Sequence, residues 1–116
     1  MARISWQEVC EAAKADNVMA LKDLLRRGGS ADSADQHDQT ALYWAAVKGH
    51  REVVQVLLDA GATIDRASPQ GMTPLMEAVF WDKVDIVELL LSSDPDMHPK
   101  DTQGKILRNL IIFISS

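Results

Sequence analysis

The chain has 116 residues and a formal net charge of −5, with 47% hydrophobic and 25% charged residues. This length and balance are typical of one folded domain and exclude the composition of a disordered chain. The acidic balance argues against non-specific binding to nucleic acid, which requires a basic face. No apolar run approaches the roughly 18 residues of a membrane-spanning helix. We therefore expect a chain that binds neither nucleic acid nor a membrane.

The N-terminal region and the single cysteine indicate the compartment. Glu8 and Glu11 come early, and no apolar stretch precedes them, so we expect no secretory signal. Cys10 is the only cysteine, which excludes an intrachain disulfide and a cysteine-rich metal site. Both observations favour a reducing compartment, and we expect the protein to be cytoplasmic or nuclear.

The sequence repeats itself at an interval of 33 residues. Residues 40–45, T-A-L-Y-W-A, align with residues 73–78, T-P-L-M-E-A. At the same offset, residues 52–58 align with residues 85–91, and the register extends in both directions without a gap. Agreement of this length indicates one structural unit that is repeated along the chain.

Each unit is predicted to form a helical hairpin. Thr40 is a candidate N-cap for the first helix, and Gly49 ends that helix where a left-handed backbone is useful. The second helix has a broad apolar face and ends at Gly61. In the flanking units Asp16 and Asp82 take the place of Gly49, and a left-handed conformation is less favourable for them.

These motifs resemble the ankyrin repeat family, whose 33-residue unit carries the sequence T-P-L-H-x-A. Over about residues 5–105 the resemblance implies an all-α solenoid of stacked helix-turn-helix units with projecting β-turn loops. It also implies a single domain over residues 1–116. Within it the units are expected at about residues 5–34, 35–67 and 68–100, with a partial C-terminal unit at 101–116.

The C-terminal segment 106–114 leaves two structures open. Its last five residues are all large and apolar, and four of them are isoleucine or leucine. The segment can pack on the third unit as a single helix that forms an apolar lid. Alternatively, it can be exposed and drive self-association.

No catalytic or metal-binding arrangement is recognisable in the sequence. Cys10 occupies the register position of Tyr43 and Met76, which indicates a packing position rather than a nucleophile. The three histidines stand at different positions of the repeat, and His50 is expected to order the turn between two helices. Residues 94–101 include three carboxylates, but two prolines and no glycine argue against a calcium loop. We therefore expect no enzyme activity, no metal and no cofactor.

The resemblance also indicates where a protein partner would bind. Partners of ankyrin proteins contact the turn tips and the exposed side of the first helices, on the concave face. Carried onto this sequence, the candidate partner-binding residues are Gln36, His37, Gln39, Trp44, Lys48, Pro69, Gln70, Met72, Glu77, Phe80 and Trp81.

Aromatic residues and acidic charge both concentrate in this candidate surface. Trp44, Phe80 and Trp81 are three of only six aromatic residues, and they either fill gaps between first helices or act as binding hot spots. Residues 67–99 have a net charge of −5. We expect a protein-interaction module or scaffold, acting as an adaptor, inhibitor or regulatory subunit, whose partner has apolar anchors beside basic residues. The alternative is a structural repeat protein that self-associates through residues 106–114.

Overall fold

A computed structural model of the protein describes residues 4–93, which form three helical hairpins. Residues 94–101 and 106–114, whose structure and role were predicted above, lie outside this range. The described helices are α1 (Trp6–Lys14), α2 (Val18–Arg26), α3 (Ala41–Lys48), α4 (Arg51–Asp59), α5 (Pro74–Phe80) and α6 (Val84–Ser93).

The helices lie in two layers. In the first layer α1 packs on α3 and α3 packs on α5, while in the second layer α2 packs on α4 and α4 on α6. The two helices of each hairpin also pack on each other. The second helices begin at Val18, Arg51 and Val84, which are 33 residues apart. This arrangement confirms the predicted all-α solenoid.

Hydroxyl caps fix where the first helices begin. The side chain of Thr40 accepts a hydrogen bond at 3.0 Å from the backbone amide three residues further on, and Thr73 does the same at 3.1 Å. In the first unit Ser5 and Glu8 form a reciprocal capping box. The prediction of Thr40 as an N-cap is confirmed.

The first helices end in a left-handed residue in all three units. Gly49 has φ 79°, whereas Asp16 and Asp82 have φ 56° and 58°. Glycine adopts this conformation without steric cost, but a side chain at the same position brings Cβ close to the backbone. The predicted strain at the two aspartates is therefore present.

The core is built from the same register positions in each unit. On the first helices small side chains, among them Ala13 and Ala46, are fully buried and allow neighbouring units to approach closely. Larger side chains of the second helices close the core between the two layers: Leu21, Val54, Leu57, Ile86, Val87 and Leu90. Burial of these apolar groups is the main stabilising contribution to the stack.

Two substitutions, one at Asp82 and one at Gly49, test the backbone strain at the left-handed ends of the first helices. We expect Asp82→Gly to increase the free energy of unfolding by about 0.5 kcal/mol, because relief of strain outweighs the greater freedom of glycine in the unfolded chain. Gly49→Asp should decrease it by about 1 kcal/mol. A Cβ at Gly49 would also lie 3.2 Å from Cδ of Lys83, which must move. Urea unfolding of both variants measures the difference, and equal changes of one sign would contradict the explanation.

Candidate protein-binding surface

The turn that leads into α3 is organised by the carboxylate of Asp35. Its Oδ1 accepts hydrogen bonds from the backbone amides of His37 and Gln39, at 2.9 and 3.0 Å. Its Oδ2 accepts one from Nε1 of Trp44 at 2.9 Å and lies 3.4 Å from Nζ of Lys14 in the first unit. The side chain of Asp35 is only 6% exposed. Asp35 therefore positions the neighbouring turn-tip residues rather than facing a partner.

The hydrogen bonds to Asp35 hold it in the ionised form. Burial alone would raise the pKa of Asp35, but donation from Gln39, Trp44, His37 and Lys14 outweighs burial. Its pKa consequently lies below the ordinary value for aspartate. Folding and ionisation of this group are therefore coupled.

Trp44 is engaged largely within the chain. Its ring is half-buried, and Nζ of Lys14 lies 4.6 Å from its centroid. Tyr43 packs edge-on against it, with the ring centroids 5.5 Å apart. Because a cation, a ring and a carboxylate already contact this indole, Trp44 contributes to the joint between the first two units.

Phe80 and Trp81 lie at the end of α5 and are exposed to solvent. The two residues have relative exposures of 60% and 50%. The two rings pack edge to face, with centroids 5.0 Å apart and planes at 81°. Nε1 of Trp81 donates a hydrogen bond to Oε2 of Glu77 at 2.9 Å, which fixes the indole. The pair is thus a rigid apolar projection, and it does not fill a gap in the core.

Glu77 does not lie where the sequence places it. It was expected on the exposed side of the first helix, but it is only 8% exposed. It occupies the register position of Trp44, whose ring is contacted by Lys14 of the preceding unit. The prediction that Glu77 is freely exposed is therefore wrong. The carboxylate of Glu77 contributes to the candidate surface by orienting Trp81.

The remaining candidates divide by exposure. In the third turn the hydroxyl of Ser68 accepts a hydrogen bond from the amide of Met72 at 3.3 Å, a weaker support than the carboxylate of Asp35 supplies in the second turn. Gln39 and Met72 are half-buried at equivalent positions. The exposed candidates on the two turns and at the end of α3 are Gln36, His37, Lys48, Pro69 and Gln70.

Trp6 belongs to the same surface and is absent from the sequence-based candidates. It stands 33 residues before Gln39 and 66 before Met72, and its side chain is 42% exposed at the start of α1. The first unit lacks the T-P-L motif, so a prediction that starts from this motif does not include Trp6. Extending the repeat register backward would have found it.

Cys10 and His50 have structural roles. Cys10 is buried in α1, and burial, with a further contribution from Asp35 and partial opposition from Lys14, raises its pKa to about 11. A thiol of this kind is protonated near neutral pH and is a poor nucleophile. Nε2 of His50 lies 3.2 Å from the carbonyl oxygen of Lys14, so the imidazole joins the helix turns of the first two units.

Two further kinds of site are not found in the described part of the chain. Within residues 4–93 no three side chains of His, Cys, Asp or Glu come together in a way that would hold a metal ion. Over the same residues no helix has the length and apolar character needed to cross a bilayer.

The stacked hairpins, hydroxyl caps and projecting turns define a helical repeat protein. A family profile for ankyrin repeats, described as three copies, matches residues 9–101. The chain belongs to the ankyrin repeat family.

Three relatives show how widely this unit is used. Serine/threonine-protein kinase 12 of Arabidopsis thaliana is 35% identical over 67% of the chain, and the mouse inactive serine/threonine-protein kinase TEX14 is 34% identical over 82%. The 26S proteasome non-ATPase regulatory subunit 10 of Dictyostelium discoideum is 33% identical over 77%. The matched regions span only 17%, 7% and 39% of these proteins.

The ionisation of Asp35 predicts a pH-dependent loss of stability. At about pH 7 we expect Asp35→Asn to decrease the free energy of unfolding by about 2 kcal/mol, because a charged acceptor of several hydrogen bonds is lost. Since the folded-state pKa is depressed, this contribution is fully present above about pH 4 and is lost as the pH falls through the folded value. The difference between wild type and variant should therefore shrink in acid.

Urea unfolding across this pH range measures the difference. Asp65→Asn is the matched control, because Asp65 is exposed and no side-chain hydrogen bond is found for it in residues 4–93. A difference for Asp35→Asn that stays constant with pH would contradict the assignment.

Proposed function

We propose that the chain is a protein-interaction module that binds a partner through its concave face and turn tips. Ankyrin repeats generally serve as such modules, and the chain has three of them. The observation that carries the proposal for this surface is the Phe80–Trp81 pair. The two large rings are exposed and pack on each other, and a hydrogen bond to Glu77 holds the indole of Trp81. Neither ring is part of the buried core. Rigid aromatic projections of this kind are typical hot spots of protein interfaces.

The charge around the pair indicates the partner's chemistry. Asp82 and Asp85 are exposed and follow the aromatic pair within four residues of the sequence. Acidic side chains close to an apolar centre favour a partner that presents apolar anchors next to lysine or arginine. The same charge steers a basic partner toward this end of the described stack.

A regulatory or adaptor role is the form of this function that we favour. The Dictyostelium relative is named a regulatory subunit of the proteasome, which supports a binding role without catalysis. The buried, protonated thiol of Cys10 supports the same role, since it is not available as a nucleophile. A single cysteine also suits a reducing compartment, and we propose that the protein acts in the cytoplasm or the nucleus.

Self-association is a second candidate function. It is favoured by the five consecutive large apolar residues at 110–114, a pattern that forms an interaction site wherever it is exposed. The two functions differ in their residues, because self-association would depend on 106–114 and partner binding on Phe80 and Trp81.

Replacement of the aromatic pair tests the proposed surface. For the partner captured by the wild-type chain, we expect Phe80→Ala and Trp81→Ala each to weaken binding by about 2 kcal/mol, or roughly 30-fold in Kd. The midpoint of thermal unfolding should change little, because both side chains are at least half exposed. Isothermal titration and thermal unfolding give the two measurements.

Met19→Ala is the matched control. Met19 is another large apolar residue with 79% exposure, but it lies on α2 in the second layer, away from the proposed surface. Binding that responds equally to Met19→Ala, or that survives both aromatic substitutions, would contradict the proposal. A fall in the unfolding midpoint instead would show that the rings belong to the core.

A further inference from the structure

The joint between the first two units contains a complete site for a lysine side chain. Nζ of Lys14 lies 3.4 Å from Oδ2 of Asp35 and 4.6 Å from the ring centroid of Trp44. The same Oδ2 accepts the indole N–H of Trp44 at 2.9 Å. Carboxylate, indole and ammonium thus form one cluster, in which the hydrogen bond fixes the ring beside the charge.

The third unit contains a similar hydrogen-bonded pair of carboxylate and indole, at other positions of the repeat and without a cation. Oε2 of Glu77 accepts the indole N–H of Trp81 at 2.9 Å, the same length as in the first cluster. Glu77 takes part in none of the ion pairs formed within residues 4–93. The second unit supplies no such cation, because the register position of Lys14 in the first unit is occupied by Val47 in the second.

The carboxylate of Glu77 retains the capacity to bind a cation. Hydrogen bonding within residues 4–93 uses only its Oε2, and no buried side-chain oxygen in this range is left without a partner. Its second oxygen therefore keeps contact with solvent, although the residue as a whole is only 8% exposed. The charge is also felt by its neighbours: burial, together with the charges of Glu77 and Asp35, raises the pKa of Tyr43.

We propose that Glu77 and Trp81 form a receptor for one lysine or arginine side chain of the partner. The partner's cation would make the two kinds of contact that Lys14 makes in the first cluster, with the carboxylate as its counter-ion and the indole face as its apolar wall. Phe80 packs edge-on against Trp81. It would contact the apolar residue that stands next to the basic residue in the partner. This inference rests on the proposed function and assigns the basic residue to Glu77 rather than to the exposed Asp82 or Asp85.

A library of random peptides displayed on beads tests this assignment without knowledge of the partner. The wild-type chain should select peptides with lysine or arginine next to a large apolar residue. Each selected peptide is then compared with its counterpart in which norleucine replaces the basic residue. Glu77→Gln should reduce this preference about fivefold, because the amide removes the charge. Its oxygen still accepts the indole N–H, so the preference for the apolar residue should persist.

Val47→Lys is a second, independent variant. It places an ammonium at the register position of Lys14, where it can pair with Glu77 within the chain. We expect the same loss of preference for basic peptides, accompanied by a higher midpoint of urea unfolding. Because this variant keeps Glu77, it tests the site even if Glu77→Gln folds poorly. Glu88→Gln, an exposed glutamate of α6, is the control and should behave as wild type.

The outcomes separate this inference from the proposed function. If Glu77→Gln or Val47→Lys, once folded, selects basic peptides as wild type does, the receptor assignment is overturned while the proposed function stands. If the wild-type chain selects apolar peptides without any basic residue, the receptor assignment is likewise overturned and the proposed function stands. If the wild-type chain enriches no peptide at all, the proposed surface fails together with the receptor.

Discussion

Close stacking of the first helices is the constraint on which the rest of the structure depends. Helices approach to the shorter end of the usual 8–10 Å range only where small side chains line the contact. Ala13, Ala45, Ala46 and Ala78 are fully buried along this seam. A larger side chain there would overpack the joint and push the units apart. The spacing of units in turn fixes which residues of neighbouring units can touch, as Lys14 touches Asp35 and Trp44.

Polar contacts between units show how that spacing is used. Lys14 reaches Asp35 in the next unit, and the carboxylate of Asp32 accepts hydrogen bonds from the amide and hydroxyl of Thr63, 31 residues further on. Arg66 spans the same joint, because its Nη1 donates to the carbonyl oxygen of Asp32 at 3.3 Å. Such pairs contribute less than apolar burial does, but they are directional. They fix the relative rotation of adjacent units, and with it the direction in which the turns of each unit face.

The sequence was sufficient for the fold because the fold is local and periodic. A motif at 40–45 and its copy at 73–78, together with the left-handed position at Gly49, predict helix starts and ends that the structure confirms. Side-chain contacts across units were less accessible to sequence reasoning. The burial of Glu77 depends on how α5 lies against the preceding unit. Its hydrogen bond to Trp81, by contrast, is local, because the two residues are four apart at the end of α5. Periodicity gives the position of a residue in its unit, but it does not specify which neighbouring side chain it meets.

The middle hairpin, α3 with α4, has a position that neither flanking hairpin shares. The principal packing contacts in the described residues run only within a hairpin and between adjacent ones, so α3 and α4 touch both neighbours while α1 and α5 rely on α3. In such a linear array, energetic coupling passes from one unit to the next. Any influence of the Trp6 end on the Phe80 end must therefore travel through this hairpin. The rigidity of this hairpin therefore sets how strongly a change at one end of the described stack can affect the other.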